Sequence, residues 1–207
     1  MNGLILAWAL ATAPVASIAD LAPQANRDAL ALAMQAMRCA QVSGLGVDAT
    51  RLAFIDYSRP STEPRLWVFD LANNRLLYQE VVAHGRGSGD NLASVFSNVS
   101  GSHTSSLGLF LTRETYQGRN GYSLRMEGLE PGVNDAALAR AIVMHGAPYV
   151  DPQSAAKQGR LGRSFGCPAV REAVARGMID VLKDGQFVFA YYPDAAWLDR
   201  TRWKCAG

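Results

Sequence analysis

The chain has 207 residues, of which 49% are hydrophobic, and it carries a formal net charge of +2. This length suits one domain, or one domain with a small appendage, and the apolar content excludes wholesale disorder. The small charge and the lack of a lysine- or arginine-rich run give no reason to expect a nucleic-acid partner.

The first nineteen residues, MNGLILAWALATAPVASIA, carry no charged side chain. Leu4 to Leu10 is an apolar run of signal-peptide length, and Ser17 and Ala19 place small residues at positions −3 and −1 of a cleavage site. We expect residues 1–19 to be a cleaved secretory signal, so that the mature protein works outside the cytoplasm without a membrane span. The alternative is a short membrane anchor, but the run is short for a bilayer and Pro14 interrupts it.

Residues 26–43 are predicted to form a helix. Asn26 is a suitable N-cap, Leu30, Met34 and Met37 repeat at helical spacing, and Gly44 ends the pattern. We interpret this methionine stripe as core packing. With the residues before it, the helix makes an N-terminal segment over residues 20–50.

Beyond residue 50 the sequence pattern changes to that of β-strands. Asn73 and Asn74 suit a tight turn within an antiparallel meander. Strands are predicted at residues 52–57, 65–70, 76–83, 107–112, 122–126, 141–144 and 186–192. The fold class is therefore mainly β with a few helices. One domain is predicted over residues 51–193, with a C-terminal tail at 194–207.

Several connecting segments have a distinctive residue composition. Residues 84–89 read as a flexible loop, and residues 94–106, rich in Ser, Asn and Gly, as a long irregular segment of the kind that is often functional. Residues 134–140 suit a helical turn. A helix is predicted over residues 168–183, stopped by Gly185.

Three cysteines are present, Cys39, Cys167 and Cys205. In an oxidising compartment an odd number leaves one free thiol. A disulfide between Cys39, late in the first predicted helix, and Cys205 would tie down the C-terminal tail. The alternative is two unpaired thiols, and the sequence alone does not decide between them.

The stretch 142–171 contains a histidine and a cysteine that are both flanked by glycine. His145 ends a strand, and Gly146 lets the backbone turn so that the imidazole stays accessible. An imidazole that accepts the proton of Cys167 would make its sulfur a nucleophile. The alternative is a buried cysteine that acts as a small hydrophobic residue, with the histidine hydrogen-bonded elsewhere. The order of histidine before cysteine is unlike that of papain-like peptidases.

The neighbours of Cys167 suggest how its thiol is activated. A helix that begins at Pro168 places Cys167 just before a helix N-terminus, whose dipole lowers the thiol pKa. The backbone N–H groups of Gly166 and Cys167 are candidates for an oxyanion hole.

At these residues the chain resembles a known family. His145-Gly146 followed by Ser164-x-Gly166-Cys167 is similar to the signature of L,D-transpeptidases of the YkuD type, which remodel bacterial peptidoglycan. Further ordered blocks resemble the branch called murein L,D-transpeptidase catalytic domain proteins, and the resemblance covers roughly residues 52–192. These blocks are FSN at 96–98, SSLG at 105–108, TY at 115–116, SLR at 123–125, GLE at 128–130, IVxHGA at 142–147 and GRLGRS at 159–164.

The resemblance implies a β-sandwich-like catalytic fold and ping-pong acyl transfer on peptidoglycan stem peptides. Cys167 would attack a stem carbonyl and expel the residue beyond it, and an acceptor amine or water would take the thioester. His145 would act as general base and then general acid, its other ring nitrogen held by the Gly146 carbonyl. The resemblance also implies carbapenem-type β-lactams as covalent inhibitors and, with the predicted signal, the periplasm. We expect no cofactor, and three scattered histidines argue against a metal.

Two positions depart from the commoner signature, Ser/Thr-His-Gly-Cys-x-Arg. Phe165 replaces the second histidine and Ala169 replaces the arginine. Arg163 is the candidate to supply the missing positive charge near a substrate carboxylate; the alternative is a surface arginine without a role.

Three other residues are candidates for binding the stem. Ser164 and Arg125 lie in the matching blocks, where Arg125 could instead brace a loop. His84 follows a strand and could line a substrate groove; the alternative is a histidine in a surface loop. His103 is treated as incidental.

Three functional hypotheses follow. The first is a cysteine acyltransferase that remodels peptidoglycan stems. The second is a hydrolase on the same scaffold, a carboxypeptidase or endopeptidase, which differs only in the fate of the thioester. The third is a non-catalytic wall-binding module, favoured only by Phe165 and Ala169.

Overall fold

The computed structural model describes residues 17–203 and residue 205. The predicted secretory signal at residues 1–19 therefore lies almost entirely outside the described residues. The strands are β1 (Arg51–Asp56), β2 (Leu66–Asp70), β3 (Arg75–Glu80), β4 (Gly108–Gly118), β5 (Gly121–Gly128), β6 (Val143–Gly146), β7 (Ala169–Val170) and β8 (Phe187–Tyr191). The helices are α1 (Ile18–Leu21), α2 (Arg27–Val42), α3 (Pro152–Gln158), α4 (Glu172–Leu182) and α5 (Ala195–Arg200).

The strands of the described part form one eight-stranded sheet in the order β3-β2-β1-β8-β4-β5-β6-β7. The β1–β8 and β6–β7 pairs are parallel and the other neighbours are antiparallel. The two ends of the sheet meet, because Ala83, just beyond β3, bridges to Ala169 of β7. The sheet is thus nearly closed, like a barrel. The prediction of a mainly β fold with a few helices is confirmed.

The first long helix and its cap are confirmed. The side chain of Asn26 accepts a hydrogen bond from the amide of Ala29 at 3.1 Å, which satisfies one of the free N–H groups at the start of α2. Leu30 and Met37 are buried in the same core as β1 and β8. Packing of the apolar face of α2 therefore covers the middle of the sheet.

The C-terminal segment packs on the same core through a buried carboxylate. Glu130 accepts hydrogen bonds from the indole N–H of Trp197 at 3.0 Å and the hydroxyl of Thr201 at 2.9 Å. Its other oxygen accepts the amide of Leu109 at 2.9 Å. These bonds offset the cost of burying the carboxylate and join the tail to β4.

One predicted helix boundary needs correction, and one helix was missed. The helix predicted over 168–183 begins at Glu172, because Ala169 and Val170 pair with β6 instead. A helix at residues 152–158 was not predicted, although Asp151 caps its first amide groups and Gly159 ends it in the left-handed region. The hairpin of β4 and β5 is also longer than predicted, because its pairing continues to the turn at Gly118 and Gly121.

Cys39 and Cys205 form a disulfide with their Cα atoms 5.9 Å apart, which leaves Cys167 as the free cysteine. The bond closes a loop across 166 residues of sequence. Of the two alternatives that the sequence left open, the structure has the disulfide.

Removal of this disulfide is expected to destabilise the fold, since a long closed loop restricts the unfolded chain. The double variant Cys39→Ser, Cys205→Ser should lose about 2–4 kcal/mol of unfolding free energy. Urea unfolding with and without reductant measures this loss. The double variant should not respond to reductant; an equal response in both proteins would contradict the assignment.

Candidate active site

His145 lies near the end of β6, between β5 and β7. Its neighbours across the sheet are Ser123 and Ala169, and the residue is 4% exposed. Its Nδ1 donates to the carbonyl of Gly146 at 2.9 Å, the contact that the sequence analysis expected. This bond leaves Nε2 as an acceptor. Burial lowers the pKa of His145 below its usual value, so the ring is neutral at pH 7.

The glycine at position 146 is required by close packing. A Cβ atom there would lie 2.8 Å from the Cβ of Ala175 and 3.3 Å from the Cα of Glu172, both on α4. A larger residue would push α4 away from β6. Gly146 therefore contributes both a carbonyl for the histidine and room for the helix.

Cys167 lies beside β6, next to Val143. The amide of Val143 donates to its sulfur at 3.5 Å, and the thiol faces the carbonyl of Ala141 at 3.7 Å. Because His145 pairs with Ala169, the same register continued by two residues brings Cys167 to Val143. Val143 is two residues before His145 in β6, so the sulfur lies at the edge of the strand that carries the imidazole. In the described chain no hydrogen bond joins the sulfur and the imidazole.

The predicted activation of Cys167 by a helix dipole is wrong. The helix begins five residues later, at Glu172, since residues 169 and 170 belong to β7. Burial raises the pKa of the Cys167 thiol, and the Val143 amide and the charge of Arg140 only partly oppose this effect. The resting pair is therefore a neutral thiol and a neutral imidazole.

The loop before Cys167 is closed by the Ser164 hydroxyl. The hydroxyl accepts from the amide of Gly166 at 3.0 Å and donates to the carbonyl of Cys167 at 2.6 Å. The Gly166 amide is thus occupied and does not supply the predicted oxyanion contact. Ser164 is buried, and its hydroxyl acts within the loop rather than towards a substrate.

Gly166 is a glycine for a conformational reason. Its φ is +129°, and a Cβ atom there would lie 2.7 Å from the carbonyl oxygen of Thr104. Its own carbonyl accepts from the hydroxyl of Ser105 at 3.0 Å. The loop at 94–106 therefore holds the backbone of the loop before Cys167, which we call the cysteine loop.

Arg140 is a charged residue near the cysteine that the sequence analysis missed. Its guanidinium donates to the carbonyls of Ser97 and Thr104 at 2.6 and 2.7 Å and to the hydroxyl of Ser106 at 2.6 Å. Burial lowers the pKa of Arg140, and its charge in turn favours the Cys167 thiolate. Its place five residues before His145 in the sequence was the signal that could have identified it.

Tyr149 was also missed, although it lies inside the 142–171 stretch. Burial, together with the nearby Cys167, raises the pKa of its phenol to about 12. Its carbonyl accepts from the amide of Gly162 at 2.9 Å. Tyr149 therefore packs on the loop that leads into Ser164 and stays a neutral phenol.

The two predicted arginines are held by carboxylates. Arg163 donates to the Gly89 carbonyl at 2.7 Å and lies 3.5 Å from Asp90. Arg125 pairs with Glu114 at 2.9 Å and stacks over the ring of Tyr116 at 4.5 Å. Arg125 alternates along β5 with buried core residues, which puts it on the same face as His145.

The predicted placement of His84 at a groove or in a surface loop is wrong. It is fully buried, with Nδ1 2.8 Å from a guanidinium nitrogen of Arg65 and Nε2 3.4 Å from the carbonyl of Gly89. Burial and the charge of Arg65 lower its pKa to about 4. The backbone carbonyl of His84 accepts from the amide of Ser164 at 2.9 Å, so this residue holds the loop that leads into Cys167.

Neither a metal site nor a membrane-spanning helix is found among the described residues. They contain no group of three or more His, Cys, Asp or Glu side chains placed to hold a metal ion. None of their helices combines the length and apolar character needed to cross a bilayer.

The chain is similar to several solved structures. An L,D-transpeptidase from Mycobacterium smegmatis is 14% identical with a TM-score of 0.43, over 70% of this chain and 59% of that one. L,D-transpeptidase 3 from Mycobacterium tuberculosis, in complex with a faropenem-derived adduct, is 11% identical with a TM-score of 0.45, over 69% and 60%. A mutant of the helical cell shape determining protein Pgp2 from Campylobacter jejuni is 13% identical with a TM-score of 0.45, over 77% and 56%.

The matched part spans less than two thirds of each of these three structures. No curated protein sequence matches the chain. The family model described as the L,D-transpeptidase catalytic domain matches residues 21–191, which is most of the chain. The chain therefore belongs to the L,D-transpeptidase catalytic domain family.

Proposed function

We propose that this protein is a cysteine acyltransferase that remodels peptidoglycan stem peptides through a thioester on Cys167. Family membership supports the reaction class. The observation that carries the assignment of residues is the position of the Cys167 sulfur, which accepts from the amide of Val143, two residues before His145 in β6. The bond from Nδ1 of His145 to Gly146 then leaves Nε2 free to receive the thiol proton.

In the first half-reaction the sulfur attacks a stem carbonyl while His145 takes the thiol proton. The carbon–sulfur bond forms, the amide carbon–nitrogen bond breaks, and His145 returns the proton to the leaving amine. In the second half, an acceptor amine attacks the thioester and loses a proton to His145, and the sulfur leaves as the thiol. Water in place of the amine gives hydrolysis by the same steps.

The oxyanion of the tetrahedral intermediate needs a donor close to the sulfur. The Gly166 amide is occupied by Ser164, whereas the amide of Cys167 lies against its own thiol and lowers the thiol pKa. We assign the Cys167 N–H as one donor. Arg140 adds a positive charge nearby, which stabilises negative charge on either the sulfur or the intermediate.

We further propose that the protein works in the periplasm after removal of residues 1–19. The disulfide between Cys39 and Cys205 supports this proposal, because such bonds persist in oxidising compartments and are rare in the cytosol.

The products formed from purified tetrapeptide muropeptides test the proposed function. We expect cross-linked dimers with loss of the terminal residue, detected by mass spectrometry, and no product from Cys167→Ala. Tripeptide monomers without dimers would identify the hydrolase instead. Full activity in Cys167→Ala would contradict the use of this thiol.

Covalent labelling by a carbapenem separates the roles of the two central residues. Intact-protein mass spectrometry should show one adduct on the wild type and none on Cys167→Ala. The variant His145→Asn should still be labelled, but about 10²- to 10⁴-fold more slowly, because the general base is lost. An unchanged rate in His145→Asn would contradict the role of His145.

The pH dependence should reflect a neutral resting pair. Because burial lowers the pKa of His145, the rate of carbapenem acylation should fall at acidic pH with a midpoint below pH 6.5, the usual pKa of a histidine, as the ring becomes protonated. Because burial raises the pKa of Cys167, alkylation by iodoacetamide in His145→Asn should rise only at alkaline pH. A thiolate already formed at pH 6 would contradict this account.

A further inference from the structure

A large aromatic side chain lies exposed beside the nucleophile. Phe165 is two residues before Cys167 and is 64% exposed. Burying an exposed ring of this size is favourable, so a ring next to a reactive cysteine suits contact with a ligand. The commoner signature has a histidine at this position, as noted above.

Two other side chains contact the ring of Phe165. The guanidinium of Arg86 lies 4.5 Å from the centre of the Phe165 ring, and the ring of His103 lies 4.7 Å from the same ring, centre to centre; both are on the same part of the ring, because they also contact each other. Nε and Nη2 of Arg86 are 3.2 and 3.0 Å from Nδ1 of His103, which accepts their hydrogen bonds. We call these three residues the Arg86 platform.

The backbone fixes the positions of the Arg86 platform. The amide of Arg86 donates to the carbonyl of Ser164 at 2.8 Å, and the amide of Gly87 donates to the carbonyl of His103 at 2.9 Å. His103 has a φ of +55°, which few residues other than glycine adopt. Three loops therefore converge here, and one of them continues into Cys167.

The charge of Arg86 is open to an anion. Arg86 is exposed, and within the described residues no carboxylate pairs with it. By contrast, Arg163 and Arg125 are paired with carboxylates. Two nitrogens of the guanidinium face His103, and Nη1 is left for an incoming group. A guanidinium stacked on an aromatic ring keeps its N–H edge available for a carboxylate.

We infer that the Arg86 platform binds the terminal carboxylate of the residue that leaves the donor stem. This inference rests on the proposed function. In a stem that ends one residue beyond the attacked carbonyl, the terminal carboxylate lies about 4–5 Å from that carbonyl carbon. Phe165 and Cys167, two residues apart in the chain, are separated by at most about 7 Å between Cα atoms. A donor on Cys167 thus brings its terminal carboxylate to the neighbourhood of the platform.

The inference is tested first by binding, without turnover. In the Cys167→Ala protein, calorimetry measures the Kd of a stem tetrapeptide ending in D-Ala, as the free acid and as the C-terminal amide. Arg86→Gln should weaken binding of the acid by about fivefold to tenfold and leave the amide unchanged, because the amide lacks the charge. A Phe165→Leu exchange should weaken both peptides.

The matched control is Arg119→Gln, which removes an exposed arginine from the tip of the β4–β5 hairpin and should change neither Kd. Equal thermal unfolding of the variants excludes loss of the fold. If Arg86→Gln weakens acid and amide equally, or neither, the inference is overturned.

Turnover assays distinguish failure of this inference from failure of the proposed function. With catalytically intact protein, Arg86→Gln should raise KM for the free acid about fivefold to tenfold while kcat changes little. Turnover that depends on Cys167 but not on Arg86 would keep the proposed function and overturn the inference. Selective binding of the acid without turnover in the wild type would keep the inference and overturn the proposed function.

Discussion

The parallel pairing of β6 and β7 is the constraint on which the site depends. It aligns His145 with Ala169 and Gly146 with Val170, and therefore sets Cys167 beside Val143. Ala169 also pairs with Ala83 on its other side and so helps to close the sheet. A shift of one residue in this register would move the Cys167 sulfur away from the amide of Val143. The position of the cysteine loop beside His145 and the closure of the sheet thus rest on one short strand.

A buried arginine, Arg65, stabilises the position of the cysteine loop through hydrogen bonds in the interior. Arg65 is fully buried, and its guanidinium donates to the carbonyls of Val82 and Arg59 and to Nδ1 of His84. Burial lowers its pKa to about 10, which still leaves it charged at neutral pH. The low pKa of His84 keeps that imidazole neutral, so that it can accept the bond, and the His84 carbonyl holds the amide of Ser164. The desolvation cost of the charge is thereby offset through contacts that also fix the cysteine loop.

Local signals predicted most of the fold but not this pairing. Asn26 marked the start of α2, and the β-rich runs after residue 50 marked the meander, because caps and β-forming residue types act over a few residues. Pro168 resembled the first residue of a helix, yet the partners of residues 169 and 170 lie more than twenty positions away in sequence. Only the folded sheet shows that these residues form a strand. The cap at Asp151, by contrast, was a local signal present in the sequence.

The departure at position 169 follows from the same packing. Ala169 is fully buried in a small cluster with Ala83 and Leu161, where the long side chain of an arginine would displace its neighbours. A positive charge must then come from other loops: the charge of Arg140 favours the Cys167 thiolate, and Arg86 lies over the ring of Phe165, two residues before Cys167. Only Arg140 carried a signal in the sequence, its place five residues before His145; Arg86 is distant from Cys167 along the chain, and folding brings its loop to Phe165. The thiol and the imidazole are both neutral at rest, so these two arginines supply the positive charge at the site. We therefore expect recognition of anions to be separable from activation of the nucleophile.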